Sequence, residues 1–162
     1  MEEFTTEMTS CPDSIMSLMF PRTNLESSPG TRLFNHAYAL DVTYHSDNQD
    51  SLSEILDTYL ESFNLGVLEA GANLLRIMLI AVTNSEDSPP SSILNRINYI
   101  LARLTSKHHP IGEYYEALCL IFNINEYPDK DDELSELGFE MMFDLAELGN
   151  AYAIDFLTTL DL

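Results

Sequence analysis

Apolar residues that recur three and four positions apart constrain the fold of this chain more than any other feature of its sequence. In the first clear example they are Leu52, Ile55, Leu56, Tyr59, Leu60 and Phe63. Because an α-helix completes a turn in about 3.6 residues, this spacing places all six side chains on one helix face. The same spacing returns in later segments, and no alternating strand pattern competes with it. The sequence therefore predicts an all-α fold.

Capping and turn residues indicate where these helices begin and end. Ser51 and Glu54 have the spacing of a capping box, and Thr31, Ser91 or Ser92, and Asn150 are candidate N-caps. Pro110 suits the first turn of a helix, and Gly149 suits the position after the last turn. A long acidic helix is predicted from about residue 129 to 148, with its apolar stripe at Leu134, Leu137, Met141, Leu145 and Leu148.

The turns divide the chain into about six to eight helices in two regions. Residues 1–49 are weakly patterned, with one or two short helices, at about 10–20 and 31–40. Residues 50–162 are predicted to be a helical-repeat domain, with antiparallel hairpins at about 50–83, 91–123 and 129–161. The turns near Gly66, Pro110 and Gly149 recur about every forty residues, which is typical of stacked helical hairpins.

The C-terminal third resembles a Sel-one-like repeat, the bacterial relative of the tetratricopeptide repeat. The resemblance rests on residues 137–153, in which Gly138 opens the second half of the unit and Gly149, Ala151 and Ala153 match its turn. Met141 replaces the aromatic residue of the family, and Cys119 stands where the upstream helix usually has Gly. The match covers about forty residues. It implies an α-solenoid fragment that presents a curved surface to other proteins, in a class that is rarely enzymatic.

The charge balance narrows the classes of partner. The chain has 27 acidic and 7 basic residues, a formal net charge of −20. This balance argues against binding to nucleic acid, whose phosphates demand Lys and Arg, and against binding to anionic membranes. It favours a basic protein partner, because opposite potentials speed encounter and select the partner. Solubility alone is the alternative explanation of an acidic protein.

No motif in the sequence supports catalysis, a metal or a cofactor. The adjacent His108 and His109 lack ligand spacing and are predicted to lie in a loop before a helix. Cys119 lies on an apolar helix face, which favours a buried structural thiol, and Cys11 has no partner nearby. We therefore predict no catalytic residue, no metal ligand, no cofactor and no small-molecule substrate.

The candidate binding surface is the acidic helix together with nearby tyrosines. From Glu113 to the C-terminus there are 13 acidic residues and one lysine, Lys130. Carboxylates at a helix start complement the macrodipole, but the excess beyond the first turn costs stability and so favours a functional surface. The predicted partner-binding residues are Glu113, Tyr114, Tyr127, Asp129, Asp131, Asp132, Glu133, Glu136, Glu140 and Asp144, with Tyr115 and Tyr152 as further anchors.

These features favour a binding or inhibitory protein over an enzyme. The most specific hypothesis is an immunity protein that neutralises a toxin by occluding a basic, nuclease-like cleft. A secretion chaperone or adaptor for an effector is the main alternative, and a DNA mimic is a lesser one. The acidic N-terminus and the lack of a long apolar stretch predict a cytoplasmic location.

Overall fold

The computed structural model describes residues 28–44, 49–124 and 132–160, and these form seven α-helices and no strand. The all-α prediction is confirmed. In chain order the helices are α1 (Pro29–Val42), α2 (Gln49–Asn64), α3 (Leu68–Asn84), α4 (Ser91–Ser106), α5 (Pro110–Ile121), α6 (Asp132–Glu147) and α7 (Ala151–Thr159). The short helix predicted at about 10–20 lies outside the described residues.

The chain divides into two compact units, and the division falls within α3. The described part of the first unit is residues 28–44 and 49–77, and that of the second is residues 78–124 and 132–160. In the first unit α1 packs along α2. The predicted boundary between residues 49 and 50 stays a prediction.

Three predicted helix starts differ from the observed ones. The cap of α1 is Ser28, whose Oγ accepts a 3.0 Å hydrogen bond from the Thr31 amide, so the helix begins before Thr31. Helix α2 begins at Gln49, which places Ser51 inside the helix, and Glu54 instead contacts Nε2 of His36 at 2.9 Å. Pro90 precedes α4 and makes no side-chain cap, so neither Ser91 nor Ser92 is the N-cap.

The other predicted turns are confirmed. His108 has a left-handed backbone with φ 58°, and His109 caps α5 by accepting from the Ile111 amide at 3.2 Å. Gly149 ends α6 with φ 92°, a conformation that costs glycine little. Asn150 caps α7 by accepting from the amides of residues 152 and 153 at 3.0 and 3.1 Å.

A buried polar cluster ties α1, α2 and α3 together within the first unit. The Arg76 guanidinium and the Tyr59 hydroxyl both donate to Oδ2 of Asp41, at 2.5 and 2.8 Å, and Asn73 donates to the Tyr59 hydroxyl at 3.3 Å. The side chains of Arg76 and Asp41 are 9% and 8% exposed. Burial raises the pKa of Asp41, although the Arg76 charge and the hydrogen bonds from Tyr59 and Arg76 oppose that shift. Because the folded protein holds the Asp41 proton more tightly than the unfolded chain does, the free energy of unfolding falls as pH rises from the unfolded-state pKa of Asp41 through its folded-state pKa.

Two glycines in the second unit allow neighbouring helices to approach closely. A Cβ at Gly112 of α5 would lie 3.0 Å from both the Cβ of Leu104 and the amide nitrogen of Thr105 on α4. A Cβ at Gly138 of α6 would lie 2.7 Å from the Ile121 side chain and 2.9 Å from the Ala117 carbonyl oxygen on α5. At Gly138 the absence of a side chain therefore lets α6 lie directly against the backbone of α5.

The contact at Gly138 sets which side of α6 is buried. Gly138, Met142 and Leu145 are buried, whereas Leu137 is 46% exposed and Leu148 is 84% exposed. The predicted apolar stripe is therefore only partly correct, because the buried line is rotated by about one residue. The Asn150 side chain donates to the Pro110 carbonyl at 3.1 Å, so α5 and α6 run antiparallel.

We expect Gly138→Ala to destabilise the protein by about 1–2 kcal/mol, because overpacking outweighs the better helix propensity of alanine. Urea unfolding followed by circular dichroism measures this change. Asn95→Ala, at an exposed site on α4, is the control and is expected to be neutral or slightly stabilising. Equal stabilities of the two variants would contradict the close contact.

We expect Asp41→Asn to cost about 3 kcal/mol, because it leaves the Arg76 charge buried without its counter-charge. The double variant Asp41→Asn/Arg76→Gln is expected to cost less than this single variant, since neither charge then remains in the interior. The free energies of unfolding of the two single variants and the double variant form a double-mutant cycle. Additive costs would show that the two side chains are not coupled.

Candidate functional site

The solvent side of α6 carries a continuous set of carboxylates, here called the α6 acidic surface. Its members are exposed and recur at three- and four-residue spacing along the helix: Glu133, Glu136, Glu140, Asp144 and Glu147. Within the described residues, no ion pair involves Glu136, Glu140, Asp144 or Glu147. Like charges at this spacing each cost a few tenths of a kcal/mol, so the helix retains a repulsion that an external cation would relieve.

Three of the described basic residues, Arg76, Arg96 and Lys107, form no ion pair with the α6 acidic surface. Arg76 is committed to Asp41 in the first unit. Arg96 is exposed on α4 and Lys107 is exposed at its C-cap, and neither forms an ion pair with any described carboxylate. Arg76, Arg96 and Lys107 therefore form no ion pair with Glu136, Glu140, Asp144 or Glu147.

Several of the predicted binding residues lie outside the part of the chain that the structure describes. These are Tyr127, Asp129 and Asp131, whereas Asp132 is described only as the first backbone position of α6. Glu113 is exposed in the first turn of α5. Glu113, Glu133, Glu136, Glu140 and Asp144 are therefore the predicted carboxylates whose surface position is observed.

The prediction that Tyr114 and Tyr115 anchor a partner is wrong, because both side chains are fully buried. The Tyr114 ring lies 5.8 Å from that of Tyr152 and 6.3 Å from that of Phe156, between ring centroids. These contacts hold α5 against α7 inside the unit. Helix α5 is apolar around most of its circumference, so the sequence pattern alone did not show which aromatic side chains face solvent.

The structure adds an apolar feature that the sequence placed in the core. We call Leu137, Met141 and Leu148 the apolar row. They are separated by four and seven residues, which on helical spacing places them within about 40° of one another. Leu148 is the first residue after α6, and its amide still donates to the Asp144 carbonyl at 3.1 Å, as in a further helical residue. Leu137 and Leu148 are exposed, and Met141 is half-buried. Gly138 was the sequence signal for this difference. A glycine where two helices cross marks their closest contact, so the face of α6 that carries Gly138 is the buried one.

The apolar row lies between two sets of carboxylates. Helix α5 touches α4 at Gly112 and α6 at Ala117, and the exposed Glu113 and Glu116 project between these two lines of contact. The two helices are right-handed and run antiparallel. For this reason Glu113 and Glu116 on α5 lie on the same face of the α5–α6 pair as the apolar row on α6. The α6 acidic surface borders the row on its other side.

A small groove lies between α4 and α5. Its volume is about 170 Å³, and its lining includes Asn98, Glu116 and Cys119. The Cys119 side chain is buried, and burial, with a smaller contribution from Glu116, raises its thiol pKa to about 12. A thiol that stays protonated is a poor nucleophile and a poor metal ligand. The expectation of a buried thiol at Cys119 is confirmed.

Among residues 28–44, 49–124 and 132–160, no three His, Cys, Asp or Glu side chains are grouped to hold a metal ion. Within the same ranges, no helix combines the length and apolar character needed to cross a bilayer.

The protein-family models, the curated proteins and the solved structures contain no match to the chain, so the Sel-one-like resemblance stays a prediction.

Proposed function

We propose that this chain is an acidic binding protein that inhibits a basic protein partner by covering its cationic surface. The observation that carries the proposal is the α6 acidic surface, in which four exposed carboxylates form no ion pair within the described part of the chain. A cationic partner would relieve their mutual repulsion and replace water-exposed charge with complementary contacts.

The most specific form of the proposal is an immunity protein for a toxin with a nuclease-like cleft. Such a cleft is basic because it holds phosphates, and a helix lined with carboxylates matches its charge. The formal net charge of −20 would also steer the two proteins together before contact. On this proposal the protein acts in the cytoplasm, needs no cofactor and performs no catalysis itself.

The proposal predicts that four substitutions on α6 abolish capture of a basic partner. The variant is Glu136→Gln, Glu140→Gln, Asp144→Asn and Glu147→Gln. The immobilised protein is exposed to an extract of its source cells, and bound proteins are identified by mass spectrometry. We expect one or more basic proteins to bind the wild type and not the variant, and wild-type affinity to fall about tenfold or more between low and high salt.

A matched control separates the α6 acidic surface from total charge. The control variant also removes four exposed carboxylates, through Asp57→Asn, Glu61→Gln, Glu86→Gln and Asp87→Asn. Both variants therefore have the same formal net charge of −16, from −20 plus four. We expect the control to bind as the wild type does. Equal binding by all three proteins, or binding that salt leaves unchanged, would refute the proposal. Suppression of nuclease activity in the purified partner tests the immunity role itself.

A further inference from the structure

The apolar row stands on the surface although an ordinary amphipathic helix would bury it. Leu148 is 84% exposed and Leu137 is 46% exposed, while the neighbouring Gly138 and Leu145 are buried. Scattered surface leucines need no explanation. Leu137, Met141 and Leu148 nevertheless lie along one edge of α6 and of the residue that follows it, whereas the 46% exposed Phe143 lies on the far side of the α6 acidic surface.

Carboxylates flank the row on both sides. Glu113 and Glu116 project from α5, while Asp144 and Glu140 lie beyond the row on α6. A second copy of the chain would bring these carboxylates towards their equivalents, and such like-charge contacts oppose association. The surface therefore disfavours self-association and suits a partner that is both apolar and basic.

The length of the row indicates the form of that partner. Leu137 and Leu148 are eleven residues apart, which corresponds to about 17 Å along the helix axis. This is the length of three turns of a facing α-helix, whose apolar side chains at three- and four-residue spacing would contact the row. Lys or Arg side chains on both flanks of such a helix would lie beside the carboxylates.

We propose that the apolar row and its flanking carboxylates bind a basic amphipathic α-helix of the partner protein. This inference rests on the proposed function and deepens it, because it names the structural element that is recognised. The apolar contacts provide specificity for a helical face, and the carboxylates provide attraction and orientation.

The test uses two defined peptides of lysine and leucine, each about 18 residues long, or five helical turns. In the first the leucines occupy one helix face, and the second has the same composition in scrambled order. Affinities are measured by fluorescence anisotropy at about 0.15 M salt, where long-range attraction is screened. We expect the wild type to bind the patterned peptide about tenfold more tightly than the scrambled one.

Two variants distinguish the row from exposed apolar residues in general. Leu137→Ser/Leu148→Ser is expected to lose the preference for the patterned peptide, with its helical content unchanged by circular dichroism. Val42→Ser/Leu65→Ser also removes two exposed apolar side chains, 52% and 56% exposed, but in the first unit, and it is expected to keep the preference. Equal affinity of the wild type for both peptides, or a retained preference after Leu137→Ser/Leu148→Ser, would overturn the inference.

The remaining outcomes separate this inference from the proposed function. One outcome is that the wild type shows no preference, while the variant with the four α6 substitutions given above loses affinity for both peptides. In that case the electrostatic proposal stands and the helix-binding inference fails. If that variant binds both peptides as tightly as the wild type, the proposed function fails as well. Sedimentation that reveals a dimer dispersed by Leu137→Ser/Leu148→Ser would assign the row to a second copy and also overturn the inference.

Discussion

The close contact of α6 with α5 at Gly138 determines what the second unit presents to solvent. Because no side chain separates the helices there, the backbone of Ile121 and Ala117 lies against that side of α6. This contact fixes the rotation of α6 about its own axis. Met142 and Leu145 are thereby buried, and the apolar row and the α6 acidic surface face outward. The candidate function depends on this one steric condition more than on any single carboxylate.

The two units use charge in opposite ways. In the first unit, Asp41 and Arg76 are buried together, and hydrogen bonds from Tyr59 and Arg76 offset part of the cost of removing the Asp41 carboxylate from water. In the second unit, the α6 carboxylates remain in water, where Glu136, Glu140, Asp144 and Glu147 have no described cation beside them. An ion pair buried inside the molecule is shielded from other molecules, whereas surface charge of one sign is available to another molecule.

Local sequence signals predicted the helices and many of the turns, but not the packing of side chains between helices. Gly149 and Asn150 were identified correctly because their turn and cap are set by neighbouring residues. Tyr114 was placed on the surface, although its contacts with Tyr152 and Phe156 come from a helix distant in sequence. Leu137 and Leu148 fit an apolar stripe at the right spacing, but the stripe did not reveal that Gly138 would draw a different edge of the helix into the core. The carboxylates of α6 were predicted more successfully because exposed charge follows directly from helical spacing.

Amide NMR spectra of the isotopically labelled protein, recorded during titration with the patterned lysine–leucine peptide, show directly whether the outward face of α6 is the binding surface. We expect the largest chemical-shift changes within residues 133–148 and at Glu113 and Glu116, on the face that the Gly138 contact turns outward. Changes centred on residues 28–77, or spread evenly over the chain, would contradict this expectation.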